Sequence, residues 1–301
     1  MKQKAVMFKP AKIKASHIAD FSMLMITVVW GSNFVIMKEA LNYITPFYYL
    51  GIRFILSFVL LSIVFWKKIR MADLKEIKAG CIIGFFLFMS FLTQTIGLLY
   101  TTPGKSGFIT GINVIIVPFI YYFVTKDFPG WSPVIGAFAA LLGMGILSFD
   151  KYVGLNFGDF LTLICAFFFA AQIVSIGIFT QQNDPVVLSV IQVGFTGAAS
   201  LILALLFEPI PTQISGKLWI AILYAVVFCT TLAFLVQTVA QKYTSSTHAA
   251  VILCMEAVFA VLFSYIFWKE VITLRMIIGC SFILFGVLIT ELDIKTFKKL
   301  S

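Results

Sequence analysis

Apolar runs of about twenty residues, long enough to cross the roughly 30 Å hydrocarbon core of a bilayer as a helix, recur along almost the whole of this 301-residue chain. They cover residues 18–37, 46–66, 77–99, 106–125, 131–149, 157–179, 186–207, 218–239, 249–268 and 274–292. Between them no stretch is long enough for a soluble domain. Composition agrees: 61% of residues are hydrophobic and 12% charged, about half the charged fraction with which a soluble domain covers its surface. Pro46, Pro103, Pro129, Pro133, Pro185, Pro209 and Pro211 stand at or between the run ends, where proline is tolerated. Pro118 alone falls inside a run, which calls for a kink or a cavity-facing irregularity. The expected fold class is an all-α integral membrane protein of ten transmembrane helices.

The net charge of +9 raises nucleic acid as a partner, but the 22 Lys and Arg gather at the chain ends and in one early loop, with no basic stripe among exposed aromatics. They read instead as a topology signal. With the N-terminus in the cytoplasm, fifteen of them fall on the cytoplasmic side and six on the other, with Arg53 left inside the membrane. The expected location is a bacterial inner membrane with both termini cytoplasmic. Lys2, Lys4, Lys9, Lys12 and Lys14 ahead of the first run imitate a secretory leader, yet the run is too long and lacks a small-x-small cleavage site, so it is read as a retained helix. Lys298-Lys299-Leu300-Ser301 resembles a dilysine retrieval signal, although lysines after a last cytoplasmic-facing helix need no such explanation. The five cysteines lie in apolar runs without metal or redox spacing, and no phosphate-binding glycine loop is present. No cofactor, no metal and no enzymatic activity are expected.

A shift of 143 residues aligns Phe91–Leu147 with Phe234–Thr290 without a gap, matching Gln94 with Gln237, Thr101 with Thr244, Gly136 with Gly279 and Gly143 with Gly286. A shift of 139 aligns the earlier part, matching Asp20 with Asp159, Asn33 with Gln172, Pro46 with Pro185 and Arg53 with Gln192. Polar residues in register are not a product of shared apolarity. The expected organisation is a basic tail over 1–17, a first five-helix repeat over 18–149, a loop over 150–156, a second repeat over 157–292 and a tail over 293–301. Five is odd, so the copies must cross in opposite senses, the arrangement of many secondary transporters.

Trp30-Gly31-Ser32-Asn33-Phe34, Arg53, the stretch from Gly104 through Lys105 and Gly111 to Pro118, and Glu256-Ala257-Val258-Phe259 followed by Lys269-Glu270 together resemble the drug/metabolite transporter superfamily, in its EamA-type ten-helix branch. The resemblance implies alternating access through a central cavity and small-molecule cargo, amino acids among the family's substrates. The reading is a secondary transporter or exporter of small polar metabolites. The alternatives are a nucleotide-sugar or sugar-phosphate antiporter of the same superfamily and, from another class, a membrane scaffold or intramembrane enzyme. The partners are a small-molecule substrate and the lipid bilayer, with protons, a counter-substrate and a homodimer left open.

Polar groups within a span cost free energy unless they face a partner, a cavity or water. Arg53 and Glu256 lead on this ground: a guanidinium fork suits a carboxylate, and an intramembrane carboxyl can meet an amine or carry a coupled proton. Arg53 can instead pair with Glu256 or with backbone carbonyls. Asn33 with Gln172, Gln94 with Gln237 and Asn113 with Glu256 are polar in both copies, so they are further candidates for a midplane cavity, although amides also bridge helices. Trp30, Tyr48 and Tyr49 neighbour these faces. Lys105 and His248, equivalent under the repeat, read as interfacial side chains, and Gly107 with Gly111 as a small-residue face packing against a neighbouring backbone. Trp131, Trp219 and Trp268 sit where interfacial aromatic belts are expected.

Overall fold

The computed structural model describes residues 13–148, 156–211, 215–268 and 273–297, all of it helix and connecting turns. Lys2, Lys4, Lys9 and Lys12, most of the loop between the repeats, Lys269-Glu270 and the C-terminal Lys298-Lys299-Leu300-Ser301 lie outside the described residues. In the first repeat the helices are α1 (Ile13–Ala40), α2 (Pro46–Val64), the short α3 (Trp66–Arg70), α4 (Leu74–Tyr100), α5 (Pro103–Gly111), α6 (Asn113–Thr125) and α7 (Trp131–Ser148). The second holds α8 (Phe157–Phe179), α9 (Pro185–Phe207), α10 (Gly216–Tyr224), α11 (Ala233–Ala240), α12 (Ser246–Leu253), α13 (Met255–Trp268) and α14 (Leu274–Phe297), with a π-helical segment, Ala225–Leu232, joining α10 to α11. Among the described residues eight helical segments are long and apolar enough to cross a membrane, and two shorter apolar stretches, Trp131–Ile146 and Leu274–Thr290, stand where the fifth and tenth spans are expected. The chain is a multi-pass membrane protein.

The helix starts obey local rules. Pro46, Pro103 and Pro185 occupy first-turn positions whose N–H has no helical partner in any case. Asp73 with Glu76, and Asn156 with Asp159, close reciprocal capping boxes at α4 and α8. The start of α2 is capped from the far side of the sequence: Glu208, just after α9, accepts from Thr45 Oγ1 at 2.6 Å and from the Phe47 and Tyr48 N–H groups at 3.0 Å. A carboxylate there meets both the unsatisfied donors and the positive end of the helix dipole.

Close packing reveals the symmetry. A Cβ on Gly136 of α7 would lie 2.6 Å from the Gly286 carbonyl of α14, and a Cβ on Gly286 would lie 2.5 Å from the Gly136 carbonyl. One turn pair along, a Cβ on Gly143 would lie 2.5 Å from the Gly279 carbonyl. Under the repeat Gly136 corresponds to Gly279 and Gly143 to Gly286, so each contact is the image of the other, as a two-fold interface requires. The helices run antiparallel, because advancing along α7 retreats along α14. Helices α2 and α9 behave likewise, with Phe58 against Gly194 and Ile55 against Gly197. The repeats are therefore inverted.

The glycine face expected on α5 does not meet backbone. Gly107 faces the Phe34 ring at 3.6 Å, and Gly111 faces the flexible end of Met144. Side chains fill the space there, whereas backbone approaches fall at the α7–α14, α2–α9 and α4–α8 crossings, the last where Gly97 and Gly158 meet. Pro118 sits buried inside α6 without ending it. The five cysteines are all unpaired thiols, three of them buried, as packing residues would be.

Candidate functional site

Charge inside an apolar bundle needs partners, so the site is built outward from Arg53. On α2 it has no solvent exposure. Its Nε donates to Thr230 Oγ1 at 2.6 Å and its Nη2 to the Cys229 carbonyl at 3.3 Å. The guanidinium lies 5.2 Å and 5.4 Å from the ring centres of Phe91 and Phe54, within cation–π range. The π-helical segment is what makes this possible. A π turn moves the backbone pattern from i−4 to i−5 and leaves carbonyls for other donors. Here Trp30 Nε1 takes the same Cys229 carbonyl at 3.0 Å, Ser57 Oγ takes that of Val226 at 3.1 Å, and the Thr230 hydroxyl bonds back to Ala225 at 2.8 Å. Trp30 and Arg53, both expected from sequence, thus meet at one carbonyl. The Tyr48 hydroxyl is buried with no hydrogen-bond partner, while the buried Tyr49 hydroxyl and the Arg53 guanidinium face each other without well-formed hydrogen-bond geometry.

Glu256 is the second residue of α13, shortly after the turn at Cys254, and Asn113, its equivalent, opens α6 directly after the turn at Ile112. Both side chains are half-buried, and neither has a hydrogen-bond or ion-pair partner among the described residues. The Glu256 carboxylate is within electrostatic reach of the thiols of Cys165 on α8, Cys229 in the π segment and Cys254. It therefore faces the bundle interior. Arg53 and Glu256 form no ion pair with each other.

The amides divide. Gln94 Nε2 donates to Thr110 Oγ1 at 3.2 Å, beside the Cys165 thiol. Gln172 Nε2 donates to Gln192 Oε1 at 3.1 Å, and Gln192 Nε2 to Thr238 Oγ1 at 2.8 Å, a chain that ties α8, α9 and α11 together. The equivalents in the first repeat, Asn33 and Arg53, make no such bond to each other. The Oδ1 of Asn33 and the Oε1 atoms of Gln172 and Gln237 are buried and unpartnered. The second copy bonds Gln172 to Gln192, whereas in the first copy Arg53 bonds instead to Thr230 and the Cys229 carbonyl.

The EamA-like transporter family matches residues 17–149 and again residues 156–292. The chain belongs to that family. A relative from Archaeoglobus fulgidus, called an uncharacterized transporter, is 34% identical over 92% of this chain and 86% of its own length. YyaM of Bacillus subtilis, likewise called an uncharacterized transporter, is 23% identical over 90% of this chain and 93% of its own. A crystal structure with 17% identity superposes with a TM-score of 0.76 over 95% of this chain and 99% of that one, which supports the fold.

For an EamA-like transporter, several interior groups lay beyond sequence reasoning. The Cys229 carbonyl is exposed to donors only because of a π turn that no residue pattern announces. Thr230, Thr238 and Gln192 act through contacts between distant helices. Lys38 is another: its ammonium bonds the carbonyls of Leu98, Leu99 and Thr101, capping the C-terminal end of α4 where the helix dipole favours a cation.

Proposed function

We propose that this EamA-like transporter is a secondary transporter of small polar metabolites, amino acids or related compounds foremost, working by alternating access in a bacterial inner membrane with both termini in the cytoplasm. The observation that carries the reading is the set of interior polar atoms without a protein hydrogen bond among the described residues, the Glu256 carboxylate, Asn33 Oδ1, Gln172 Oε1, Gln237 Oε1 and the Tyr48 hydroxyl, together with Arg53 Nη1, whose neighbour is the Tyr49 hydroxyl. Unsatisfied polar groups in a bundle interior are costly and call for water or ligand. Together they offer a cationic donor, an anion and neutral donors and acceptors, the complement of a zwitterion. A sugar-phosphate cargo would call for more interior cations, whereas Arg53 is the lysine or arginine that the described residues place mid-span. The inverted repeat supplies two related bundles able to expose one site to either side.

The test is reconstitution in liposomes with labelled amino acids, amines and sugar phosphates, with and without a pH gradient. Flux of an amino acid or related zwitterion above protein-free liposomes supports the reading. Flux of sugar phosphates alone would replace the cargo class, and no flux of any class from folded protein would overturn transport.

A further inference from the structure

Two acid–base side-chain pairs join the repeats, and each is the symmetry image of the other. Lys105 of the first repeat holds Asp159 of the second at 2.5 Å, while Asp20 of the first faces His248 of the second, Oδ1 to Nδ1, at 3.8 Å. Asp20 corresponds to Asp159 under the 139-residue shift, and Lys105 to His248 under the 143-residue shift. A matching threonine attends each: Thr101 donates to Asp159 Oδ1 at 2.8 Å, and Thr244 Oγ1 lies 2.9 Å from His248 Nδ1.

The pairs lie at opposite ends of the bundle. Asp20 is near the start of α1. Lys38, near its end, bonds the carbonyl of Thr101, whose hydroxyl binds Asp159. Eighteen residues of helix separate Asp20 from Lys38, roughly 27 Å at 1.5 Å per residue, close to the thickness of the hydrocarbon core. The two ends are unequally drawn together. At the lysine end, Asp159 also accepts from the Asn156 N–H, and Asn156 ties α8 to the Tyr100 carbonyl of α4. At the histidine end the pair is too long for a hydrogen bond, and a cleft of about 270 Å³ opens beside Asp20, Ile252 and Val287.

We propose that Lys105–Asp159 and Asp20–His248 are reciprocal latches between the repeats, one closing as the other slackens, so that their relative strengths set which end of the transporter is closed. The latches are chemically unequal, since a lysine is cationic throughout the physiological range and the histidine is charged only when protonated. The role rests on the alternating-access reading above, because latches that act in turn need two ends that open in turn.

Ile109 and Ile252 are equivalent, buried, and one turn inward from Lys105 and His248 respectively. Single cysteines there, I109C or I252C in a chain lacking the native cysteines, report each end through labelling by a membrane-impermeant maleimide. K105D should speed I109C labelling and slow I252C labelling, each by about tenfold, the change that a 1.4 kcal/mol shift in a two-state equilibrium produces. The charge-swapped K105D/D159K should restore both rates. H248K, at the other end, strengthens the slack latch and should move both reporters in the same directions as K105D. Labelling that rises at both ends together, or that changes only beside the substitution, would overturn the latches. Flux measured in the same liposomes separates the two readings: reciprocal labelling without flux leaves the latches standing and removes the transporter reading, while flux without reciprocal labelling does the reverse.

Discussion

Arg53 and Glu256 are the two charges that a sequence of this apolarity most needs to explain, and they are held in opposite ways. Arg53 is wedged between Thr230, the Cys229 carbonyl and two phenylalanine rings. Arg53→Lys keeps the charge but loses the planar fork, so it should lower stability by about 1–3 kcal/mol, read by thermal unfolding in detergent. Glu256 has no partner to lose, so Glu256→Gln should leave stability within about 0.5 kcal/mol while altering the pH dependence of flux. Unchanged flux at every pH would reduce Glu256 to a packing residue. Outside the spans, Asp184 offers a check on ionic contacts. Partial burial would raise its carboxyl, but the Lys68 ammonium at 2.6 Å and the Val186 N–H outweigh that and hold it below the usual carboxylate range. Its stabilisation is present above the unfolded pKa near 3.9 and is lost as pH falls through the lower folded value. Both partners are substantially exposed, so the effect is at most about 1 kcal/mol. Asp184→Asn should flatten the fall in melting temperature between about pH 5 and pH 3. Arg53 and Trp30 stood out in the sequence through the rarity of polar and amphipathic groups in such a chain, whereas the carbonyl they share did not, because a carbonyl freed by a π turn leaves no mark in the side-chain pattern.

The helices themselves were readable from run length, proline position and capping residues, since these depend on neighbours in sequence. Which glycines meet backbone depends on where distant helices cross, and that is why Gly107 and Gly111 misled while Gly136, Gly143 and Gly286 carry the contact. Gly286→Ala would set a Cβ 2.5 Å from the Gly136 carbonyl, and neither helix backbone can yield locally. A destabilisation of about 1–3 kcal/mol should follow, seen as a lower melting temperature. Gly216→Ala is the control: nothing among the described residues lies within 4 Å, so the change should be neutral or stabilising by up to about 1 kcal/mol. Equal losses from both would mean that α7 and α14 do not pack as described. Lys105 and His248, read as interfacial side chains, each face an aspartate on the other repeat, a contact that spacing along one helix cannot reveal.

Across the molecule, the duplication was visible in sequence because polar residues fell in register, and the structure turns that register into a two-fold arrangement with antiparallel α7–α14 and α2–α9 contacts. What the symmetry did not foretell is where it breaks. The π segment occurs in the second repeat alone, the equivalent stretch of α4 being regular helix, and the closed Gln172–Gln192 pair has no counterpart between Asn33 and Arg53. The carrier reading rests on the interior polar atoms that the bundle leaves unpartnered. Counterflow tests it most directly. Proteoliposomes preloaded with an excess of unlabelled amino acid should take up the same labelled compound transiently above its equilibrium level, because a site exposed to one side at a time exchanges cargo. Uptake that only approaches equilibrium, unaffected by the preload, would contradict a carrier built on two rocking repeats.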